Sequence, residues 1–391
     1  MSVEVISLGC RLNLSESESL RALLRDERDL VVVNSCAVTG AALRETRAAI
    51  RKARRARPDA RLLVTGCAAE TDRRALAEMA EIDGFIANGA KLDPRAWNVA
   101  AGPPAPRPAR HTRAFVAVQT GCDHACTFCV IPEGRGPSRS RPVAEVTAEI
   151  ARAVDAGVRE VVLTAVDLTA WGSDLPGTPR LGALVRAILD AVPALPRLRL
   201  SSLDPAEVEA ELVELLGGEP RVMPQLHLSL QHGDALMLKR MKRRHAPADA
   251  MALVAGLKAR RPDIAVGADL IAGFPTEDDE AHAANLAAVR ALGIVHGHVF
   301  PFSARGRTPA ARMPQVERAV IRARAAELRA EVARERLAWL QSLIGVPQKV
   351  LAERDGTGHA ENFARVRLPA ASRAGDVVTV VPGKLEAGLL A

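Results

Sequence analysis

The chain has 391 residues, 48% of them hydrophobic, so it is long enough for two or three domains with sizeable cores. No apolar run approaches the roughly 18 residues that span a membrane, and the start MSVEVISLGC lacks the regions of a signal peptide, so we expect a cytoplasmic protein. The net charge of +7 favours a polyanionic partner only weakly, because the abundant Arg and Ala and the absence of Tyr can also come from a GC-rich genome.

The first segment alternates strand and helix patterns. Three short apolar runs predict buried strands, namely VEVISLG, DLVVVNS and ARLLVTG. Between and after them, SESESLRALLRD predicts a helix with a Ser cap and an acidic first turn, ALRETRAAIRKARRARP a helix that ends at Pro58, and TDRRALAEMAEI a third helix. Buried strands that alternate with helices predict a parallel sheet with crossover helices, here over residues 1–101.

A Pro-rich stretch, AGPPAPRPAR, predicts a linker with a domain boundary near residue 105. Six strand patterns then alternate with helical ones, namely AFVAVQT, EVVLTA, RLRLSS, QLHLSL, IAVGADLI and GHVFPF. They predict a whole or partial β/α barrel over residues 111–340, with a doubly wound open sheet as the alternative. In either fold, ligands should bind at the C-terminal ends of the strands.

The last part of the chain begins with a long helical pattern from Pro314 to Gly345. Its apolar residues recur at helical spacing and predict a face that packs on the barrel or on the final segment. Residues 344–391 show short strands and Gly turns, which predict a small β-barrel. The sequence therefore predicts an α/β protein with a parallel α/β domain, a β/α barrel and a C-terminal β-barrel.

Three of the six cysteines stand in QTGCDHACTFCVIP, directly after the first strand of the predicted barrel. Cys122, Cys126 and Cys129 follow the pattern C-x3-C-x2-C. Three thiolates on a tight loop can hold a 4Fe-4S cluster and leave its fourth iron open to a small molecule. A structural zinc site completed by His124 is the alternative. The strand-end position and the lack of a second C-x2-C favour the cluster.

The other three cysteines each stand at or just past the end of a predicted strand. Cys10 follows SLG, Cys36 follows VVNS and Cys67 follows LLVTG. Because parallel strands end at one edge of their sheet, these residues should converge into a second three-thiolate site. Three unrelated buried cysteines are the alternative. Disulfides are not expected in a cytoplasmic chain.

The C-x3-C-x2-C loop resembles that of radical S-adenosylmethionine (SAM) enzymes, and the earlier cysteines resemble the methylthiotransferase branch. Within this branch the chain is most similar to the bacterial tRNA threonylcarbamoyladenosine methylthiotransferases, through LTAVDLTAWGSDLPGTPRLGALV, RLRLSSLDPAEV, MPQLHLSLQHGDALMLKRMKRRH and DLIAGFPTEDDE. The resemblance implies a methylthiotransferase domain, a radical SAM barrel and a C-terminal TRAM domain. It also implies two 4Fe-4S clusters, one per cysteine triplet, with SAM, and methylthiolation of C2 of a modified adenosine beside the anticodon.

The resemblance further implies that SAM binds the open iron of the second cluster and yields a 5′-deoxyadenosyl radical. A second SAM supplies the methyl group, and the cluster on Cys10, Cys36 and Cys67 holds or donates the sulfur. SAM contacts are expected from strand-end residues, namely Asp167, Ser201, Ser202, Gln231, Gly273, Phe274 and Pro275. A turn cap is the alternative for Asp167, and a barrel loop is the alternative for AGFPTE.

Basic residues in three places are candidates for RNA contacts. They are Arg51, Arg54 and Arg55 in the second helix, Arg135, Arg139 and Arg141 beyond the cluster loop, and Lys242 and Arg243 in KRMKRRH. Solvated basic surfaces are the alternative for each, and the SAM carboxylate is a further option for the middle group. The chain departs from the family at Glu133, where an aromatic residue is common.

The expected partners are a tRNA anticodon stem-loop, a small electron-donor protein and a sulfur donor, with the enzyme a monomer. Two alternatives keep the chemistry and change the substrate to isopentenyladenosine in tRNA or to an aspartate of a ribosomal protein. A third alternative, from a different class, is a non-catalytic RNA-binding protein that carries zinc.

Overall fold

The computed structural model describes residues 3–100 and 112–391. The predicted linker around residue 105 lies outside the described residues. Within those ranges, no helix is long and apolar enough to cross a membrane.

The first part of the chain is a four-stranded parallel sheet in the order β1-β2-β3-β4. The strands are β1 (Glu4–Ser7), β2 (Leu30–Ser35), β3 (Arg61–Gly66) and β4 (Gly84–Phe85). The helices are α1 (Arg11–Leu23), α2 (Gly40–Ala56), α3 (Cys67–Thr71), α4 (Arg73–Ala77) and α5 (Pro94–Trp97). The three predicted strands are present, and TDRRALAEMAEI forms short helices rather than one.

The predicted start of the first helix is wrong. Helix α1 begins at Arg11 with Cys10 at its N-cap, and its first turn contains no acidic residue. The serines have other partners, because Ser15 donates to the carbonyl of Phe115 at 2.8 Å and Ser17 accepts from Asn34 at 3.1 Å. Helix α1 therefore faces the rest of the molecule with its polar residues as well as its apolar ones.

The central part contains two three-stranded parallel sheets, β5-β8-β9 and β10-β11-β12, and a short antiparallel pair, β6-β7. The strands are β5 (Arg113–Ala117), β6 (Gln119–Thr120), β7 (Arg139–Ser140), β8 (Glu160–Thr164), β9 (Arg197–Leu200), β10 (Gln225–Gln231), β11 (Ala265–Ala272) and β12 (Ile294–Pro301). The helices are α6 (Ile131–Arg135), α7 (Val143–Asp155), α8 (Leu181–Ala191), α9 (Ala210–Gly218), α10 (Ala235–Arg240), α11 (Pro247–Arg260), α12 (Asp279–Leu292) and α13 (Arg318–Ser342).

The two central sheets follow one another in chain order. Isolated parallel bridges, Leu198 to Val222 and Leu203 to Leu228, join β9 and its following loop to the β10 side. The six long strands match the six strand patterns in the sequence, and their apolar side chains share one large core with the surrounding helices. Four short 3-10 helices complete the connections, at Asn88–Ala90, Leu168–Ala170, Pro205–Glu207 and Pro309–Arg312.

The last part is a six-stranded mixed sheet in the order β16-β13-β14-β15-β18-β17. Its strands are β13 (Gln348–Ala352), β14 (Thr357–Ala360), β15 (Arg365–Arg367), β16 (Val377–Val380), β17 (Leu385–Glu386) and β18 (Leu389–Leu390). Helix α13 links the two apolar cores, because Leu328 and Val332 pack in the central core and Trp339 and Leu343 against the last one. The predicted apolar face of this helix is confirmed.

A buried carboxylate holds the last sheet against the central strands. Glu160 is fully buried and lies 2.7 to 3.1 Å from the guanidinium nitrogens of Arg113, Arg197 and Arg199. Arg199 also donates to the carbonyl of Glu361 at 3.1 Å. Burial alone would raise the pKa of Glu160, but the three arginines lower it to about 2, so the carboxylate is ionised.

Candidate active site

The first three cysteines converge because the strands that precede them end in register. Ser7 of β1 pairs with Asn34, Asn34 pairs with Thr65, and Cys36 and Cys67 come just after β2 and β3. Gly9 has a φ of +86°, and a Cβ built there would lie 2.6 Å from the Cys36 sulfur. The loop that carries Cys10 thus runs directly against Cys36.

Buried cations surround this first triplet. Arg135 and Lys91 both bind the carboxylate of Glu16, at 2.8 and 2.5 Å, and both lie near Cys67. Arg135 is 2% exposed, so it cannot reach RNA phosphate in this structure, contrary to one of the sequence interpretations. Positive charge beside three thiols compensates the negative charge that the thiolates of a metal centre would carry.

The second triplet lies in the loop between β6 and α6. Thr127, between Cys126 and Cys129, donates its backbone N–H to Met241 at 3.1 Å and its hydroxyl to the carbonyl of Arg240 at 2.9 Å. Phe128 packs edge-on against Phe274, with 6.3 Å between ring centroids. The residues between the cysteines therefore fix the loop against the rest of the protein, and the cysteine side chains face the interior.

One cavity of about 900 Å³ is lined by cysteines of both triplets, all except Cys67. Its wall includes Cys10, Cys36, Cys122, Cys126 and Cys129. Alternate residues of β10 form another side of the wall, namely Gln225, His227, Ser229 and Gln231. The C-terminal sheet contributes His359 and Phe363. All three parts of the chain thus meet at this cavity.

The cysteines fit metal centres rather than disulfides. All six are free. Burial raises the pKa of Cys36 and Cys122 to about 11 and that of Cys129 to about 12. Buried thiols of this kind become metal ligands only when a cation stabilises the thiolate form. Each triplet provides three thiols and no fourth cysteine. This donor set matches iron–sulfur sites in which one iron has no protein ligand.

His124 offers a fourth ligand for the zinc alternative. Ligand atoms of Cys122, His124 and Asp167 lie within 4.8 Å of one another. The Nε2 atom of His124, however, lies 2.6 Å from the Asp167 carboxylate, which also accepts from the Thr169 hydroxyl at 3.0 Å. His124 and Asp167 therefore bind each other at the cavity wall.

The predicted SAM contacts fall into two groups. Asp167, Ser201, Ser202 and Gln231 line the cavity, as the strand-end argument predicts. Ser202 also donates toward Asp269 at 3.4 Å.

Gly273, Phe274 and Pro275 form the second group, and they are buried outside the cavity wall. The backbone N–H groups of Gly273 and Phe274 donate to Glu277, and the Phe274 ring supports Phe128 of the cysteine loop. These contacts turn the three residues toward the protein core, and their contact with SAM stays a prediction.

Besides Arg135, three of the candidate RNA contacts have internal partners. Arg54 binds Asp83 at 2.6 Å and the carbonyls of Pro58, Ala60 and Glu81. Arg141 donates to the carbonyl of Ala117 and to Glu149, at 2.7 and 2.8 Å. Arg243 is 8% exposed, binds Asp204 at 2.9 Å and lies 3.6 Å from the Cys126 sulfur.

The remaining basic candidates lie at the surface. Arg55, Arg139 and Lys242 are exposed, and Arg51 is exposed beside Glu81 at 3.8 Å. They remain predictions as RNA contacts, whereas Arg54, Arg141 and Arg243 serve the fold and the cysteine loop.

Several polar residues of the cavity wall were not predicted from the sequence. Asp269 lies 3.1 Å from His227 and 3.0 Å from His298 through one carboxylate oxygen. Arg11, His296 and Arg336 also line the cavity. Alternation of histidine with other residues in QLHLSL and VHGHVF was the available signal, because alternate strand residues share one face.

Family comparisons agree with this geometry. Residues 116–287 match the radical SAM superfamily, and residues 2–87 match the uncharacterized protein family UPF0004. The chain is 41% identical to the threonylcarbamoyladenosine tRNA methylthiotransferase MtaB of Rickettsia prowazekii, over 93% of this chain and 91% of that protein. It is 32% identical to a tRNA-2-methylthio-N(6)-dimethylallyladenosine synthase of Cereibacter sphaeroides, over 95% of this chain and 93% of that protein.

A solved structure shares the fold at low identity. The radical S-adenosylmethionine methyltransferase TsrM of Kitasatospora setae superposes with a TM-score of 0.56 and 18% identity, over 80% of this chain and 77% of that one. The chain therefore belongs to the radical SAM methylthiotransferase family, and it is a transferase.

Proposed function

We propose that this enzyme methylthiolates C2 of N6-threonylcarbamoyladenosine in tRNA, next to the anticodon. The main supporting observation is that cysteines of both triplets, namely Cys10 and Cys36 of the first and all three of the second, line one cavity of about 900 Å³. The relative with 41% identity is named for this substrate. A site for sulfur insertion needs the sulfur source and the radical source within reach of the same carbon.

The cofactors are SAM and 4Fe-4S clusters. We assign one cluster to Cys122, Cys126 and Cys129 and the other to Cys10, Cys36 and Cys67. When bound, SAM and the iron–sulfur centres supply the radical, methyl and sulfur chemistry that amino acid side chains cannot provide. Three thiolates per triplet would hold a cluster and would leave one iron available to a small molecule.

The chain's own residues position these groups. Thr127 and Phe128 hold the loop of the second triplet, and Arg135 and Lys91 place positive charge beside the first. Asp167, Ser201 and Gln231 offer polar atoms for SAM from the cavity wall. The base of the RNA nucleoside would enter the same cavity, which excludes bulk water from the reacting atoms.

We assign three domains, with boundaries at residues 1–101, 111–340 and 344–391. The two central sheets, joined by the bridges after β9, would form a partial β/α barrel whose strands carry the site at their C-terminal ends. The last sheet would serve as a TRAM domain that binds the anticodon stem-loop. A small electron-donor protein and a sulfur donor would complete the reaction, with the enzyme a monomer in the cytoplasm.

The two triplets can be separated by mutation. A variant with Cys10, Cys36 and Cys67 changed to Ala should keep SAM cleavage to 5′-deoxyadenosine and lose the methylthio product. Its iron content should fall by half from about eight atoms per chain. A variant with Cys122, Cys126 and Cys129 changed to Ala should lose both activities. Formation of methylthiolated nucleoside by the first variant would contradict the assignment.

Dimethylallyladenosine is the second candidate substrate, because a relative with 32% identity over 95% of the chain is named for it. Mass spectrometry of tRNA nucleosides from a strain without this gene decides between them. Loss of the 2-methylthio derivative of threonylcarbamoyladenosine supports the proposal. Loss of only the 2-methylthio derivative of dimethylallyladenosine would show that dimethylallyladenosine is the substrate.

A further inference from the structure

Two arginines of the cavity wall make no direct ion pair with a carboxylate of the described residues. Arg11 and Arg336 line the cavity, and neither has a hydrogen bond or ion pair within residues 3–100 and 112–391. By contrast, Arg243, which also lines the cavity, binds Asp204 at 2.9 Å. An unpaired guanidinium inside a concave site is a recognition element for an anion, because its desolvation is otherwise uncompensated.

Arg11 lies in a region with an excess of positive charge. Its guanidinium carbon is 5.7 Å from the Phe363 ring centroid, and those of Arg113 and Arg199 approach the same ring at 5.5 and 4.8 Å. Burial lowers the pKa of Arg11 and the two other arginines lower it further, and together these effects outweigh the opposite influence of Glu160 and Asp269. The nearby Glu160 already neutralises part of the charge of three arginines, so an additional anion would be stabilised here.

Arg336 approaches the same region from helix α13. Val332, one turn earlier, packs tightly on β12, since a Cβ at Gly297 would lie 2.6 Å from its methyl carbon. Arg336 lies near His296, and His296 packs on Phe363 with 5.7 Å between ring centroids. Burial and Arg336 lower the pKa of His296 to about 3, so this ring is neutral, and its Nε2 atom is buried without a partner in the described chain.

The cationic region lies toward the end of the cavity that is remote from the loop of the second triplet. Arg199, whose guanidinium covers Phe363, also donates to Gln225 at the start of β10. The wall residues of β10 from Gln225 to Gln231 span about 20 Å at roughly 3.3 Å per residue. A substituent that extends from a base near the cysteines can therefore reach toward these arginines.

We propose that Arg11 and Arg336 form a carboxylate site that binds the threonine carboxylate of the substrate nucleoside and selects it over nucleosides with a hydrocarbon substituent. This inference rests on the proposed function and names the specificity residues of that site. A threonylcarbamoyl group carries a carboxylate, whereas a dimethylallyl group carries no charge. A hydrocarbon substituent would leave both guanidinium groups buried and unpaired. The site would therefore weaken binding of the hydrocarbon nucleoside as well as strengthen binding of the carboxylate nucleoside.

The test compares two anticodon stem-loop RNAs that differ in one group. One carries threonylcarbamoyladenosine, and the other carries the same nucleoside with its carboxylate converted to a carboxamide. Fluorescence anisotropy with the cluster-loaded enzyme at fixed salt measures the ratio of the two Kd values. The wild-type enzyme should bind the acid at least about tenfold more tightly, as expected for hydrogen bonds to a charged group.

Arg336→Gln should reduce that ratio by about tenfold, and Arg11→Gln should do the same. Arg322→Gln is the matched control, because Arg322 is exposed on the same helix and outside the cavity wall, and it should leave the ratio unchanged. Because Arg11 adjoins Cys10, iron analysis accompanies that variant, and Arg336→Gln provides the independent result.

Three outcomes would overturn the inference. The first is that the wild-type enzyme binds the carboxylate RNA and the carboxamide RNA equally tightly. The second is that Arg336→Gln leaves the ratio of the two Kd values unchanged. The third is that Arg336→Gln raises the KM for SAM without changing that ratio. The last result would assign the arginines to the carboxylate of SAM. Failure of the proposed function is a separate result, namely turnover by the wild-type enzyme of dimethylallyl RNA and not of threonylcarbamoyl RNA.

Discussion

Gly9 determines how closely the first cysteine approaches the second. A Cβ at this position would meet both the Cβ and the sulfur of Cys36 at 2.6 Å, and the φ of +86° is unfavourable for any other residue. Gly9→Ala should therefore displace Cys10 and remove the cluster of the first triplet. The iron content should fall by about half. Formation of 5′-deoxyadenosine should persist, because the loop of the second triplet is held by its own contacts through Thr127 and Phe128.

Gly256→Ala is the control for this substitution. Gly256 lies inside α11, and no atom lies within 4 Å of the Cβ it would gain. This variant should retain all its iron. A Gly9→Ala enzyme with full iron content would show that the Cys10 loop tolerates the added methyl group.

The sequence predicted the convergence of the cysteines well and the roles of the arginines poorly. A cysteine at the end of a parallel strand has its position fixed by the strand, so Cys36 and Cys67 were placed by local pattern alone. An arginine is long, and its role depends on which acceptor lies nearby in the folded chain. Arg54 and Arg243 find theirs in Asp83 and Asp204, at sequence separations that no local pattern reveals.

At the level of elements, strands were predicted more accurately than helix starts. Six strand patterns correspond to the six long strands of the central part, either as continuous apolar runs such as EVVLTA, which suit a strand buried on both faces, or as alternating patterns such as QLHLSL. The predicted start of α1 was wrong because the serines do not cap a helix. Ser15 donates to Phe115 of β5, and Ser17 accepts from Asn34. The packing of Phe274 in AGFPTE against Phe128 of the cysteine loop was likewise not visible in the local pattern.

The contact between the central strands and the C-terminal sheet depends on Glu160. Glu160→Gln should leave Arg113, Arg197 and Arg199 without a common counter-ion and destabilise the protein by about 3–5 kcal/mol. Hydrogen exchange in β13 and β14 should rise most, because Arg197 and Arg199 donate to carbonyls there and in the loop after β14. Urea unfolding, followed at both the central and the C-terminal parts, measures the loss.

This stabilisation has a defined pH dependence. The folded-state pKa of Glu160 is about 2, below the ordinary value of 4.5, so the unfolded chain binds the proton more readily. The contribution should be complete above about pH 4.5 and disappear as the pH falls toward 2. The difference between the wild type and Glu160→Gln should shrink over that window.

Glu211→Gln is the comparison for Glu160→Gln. Glu211 pairs with Arg186 at the surface, where both side chains are well exposed, so its loss should cost less than about 1 kcal/mol. Equal effects of the two substitutions would show that the buried carboxylate does not hold the sheets together.

At the scale of the whole molecule, the N-terminal sheet is held over the cavity by contacts on two sides. Ser15 of α1 donates to Phe115 of β5, and Arg305, beyond β12, binds Asp72 at 2.5 Å. Asn88 donates to the carbonyl of Gly134 at 2.6 Å, close to Cys67. The first triplet therefore reaches the cavity only while these contacts hold the sheet in place.

Charge reversal at Arg305 should reduce formation of the methylthio product without stopping the cleavage of SAM. Arg305→Glu places a carboxylate against Asp72, and like charges at a partly buried contact repel. The second triplet and its loop are untouched, so formation of 5′-deoxyadenosine should continue, whereas methylthio product per 5′-deoxyadenosine should fall several-fold. Arg25→Glu, at an exposed pair with Asp26, should leave this ratio unchanged. An unaltered ratio in Arg305→Glu would mean that the N-terminal sheet stays in place without this ion pair, whereas equal loss of both products would place the damage in the site of SAM cleavage.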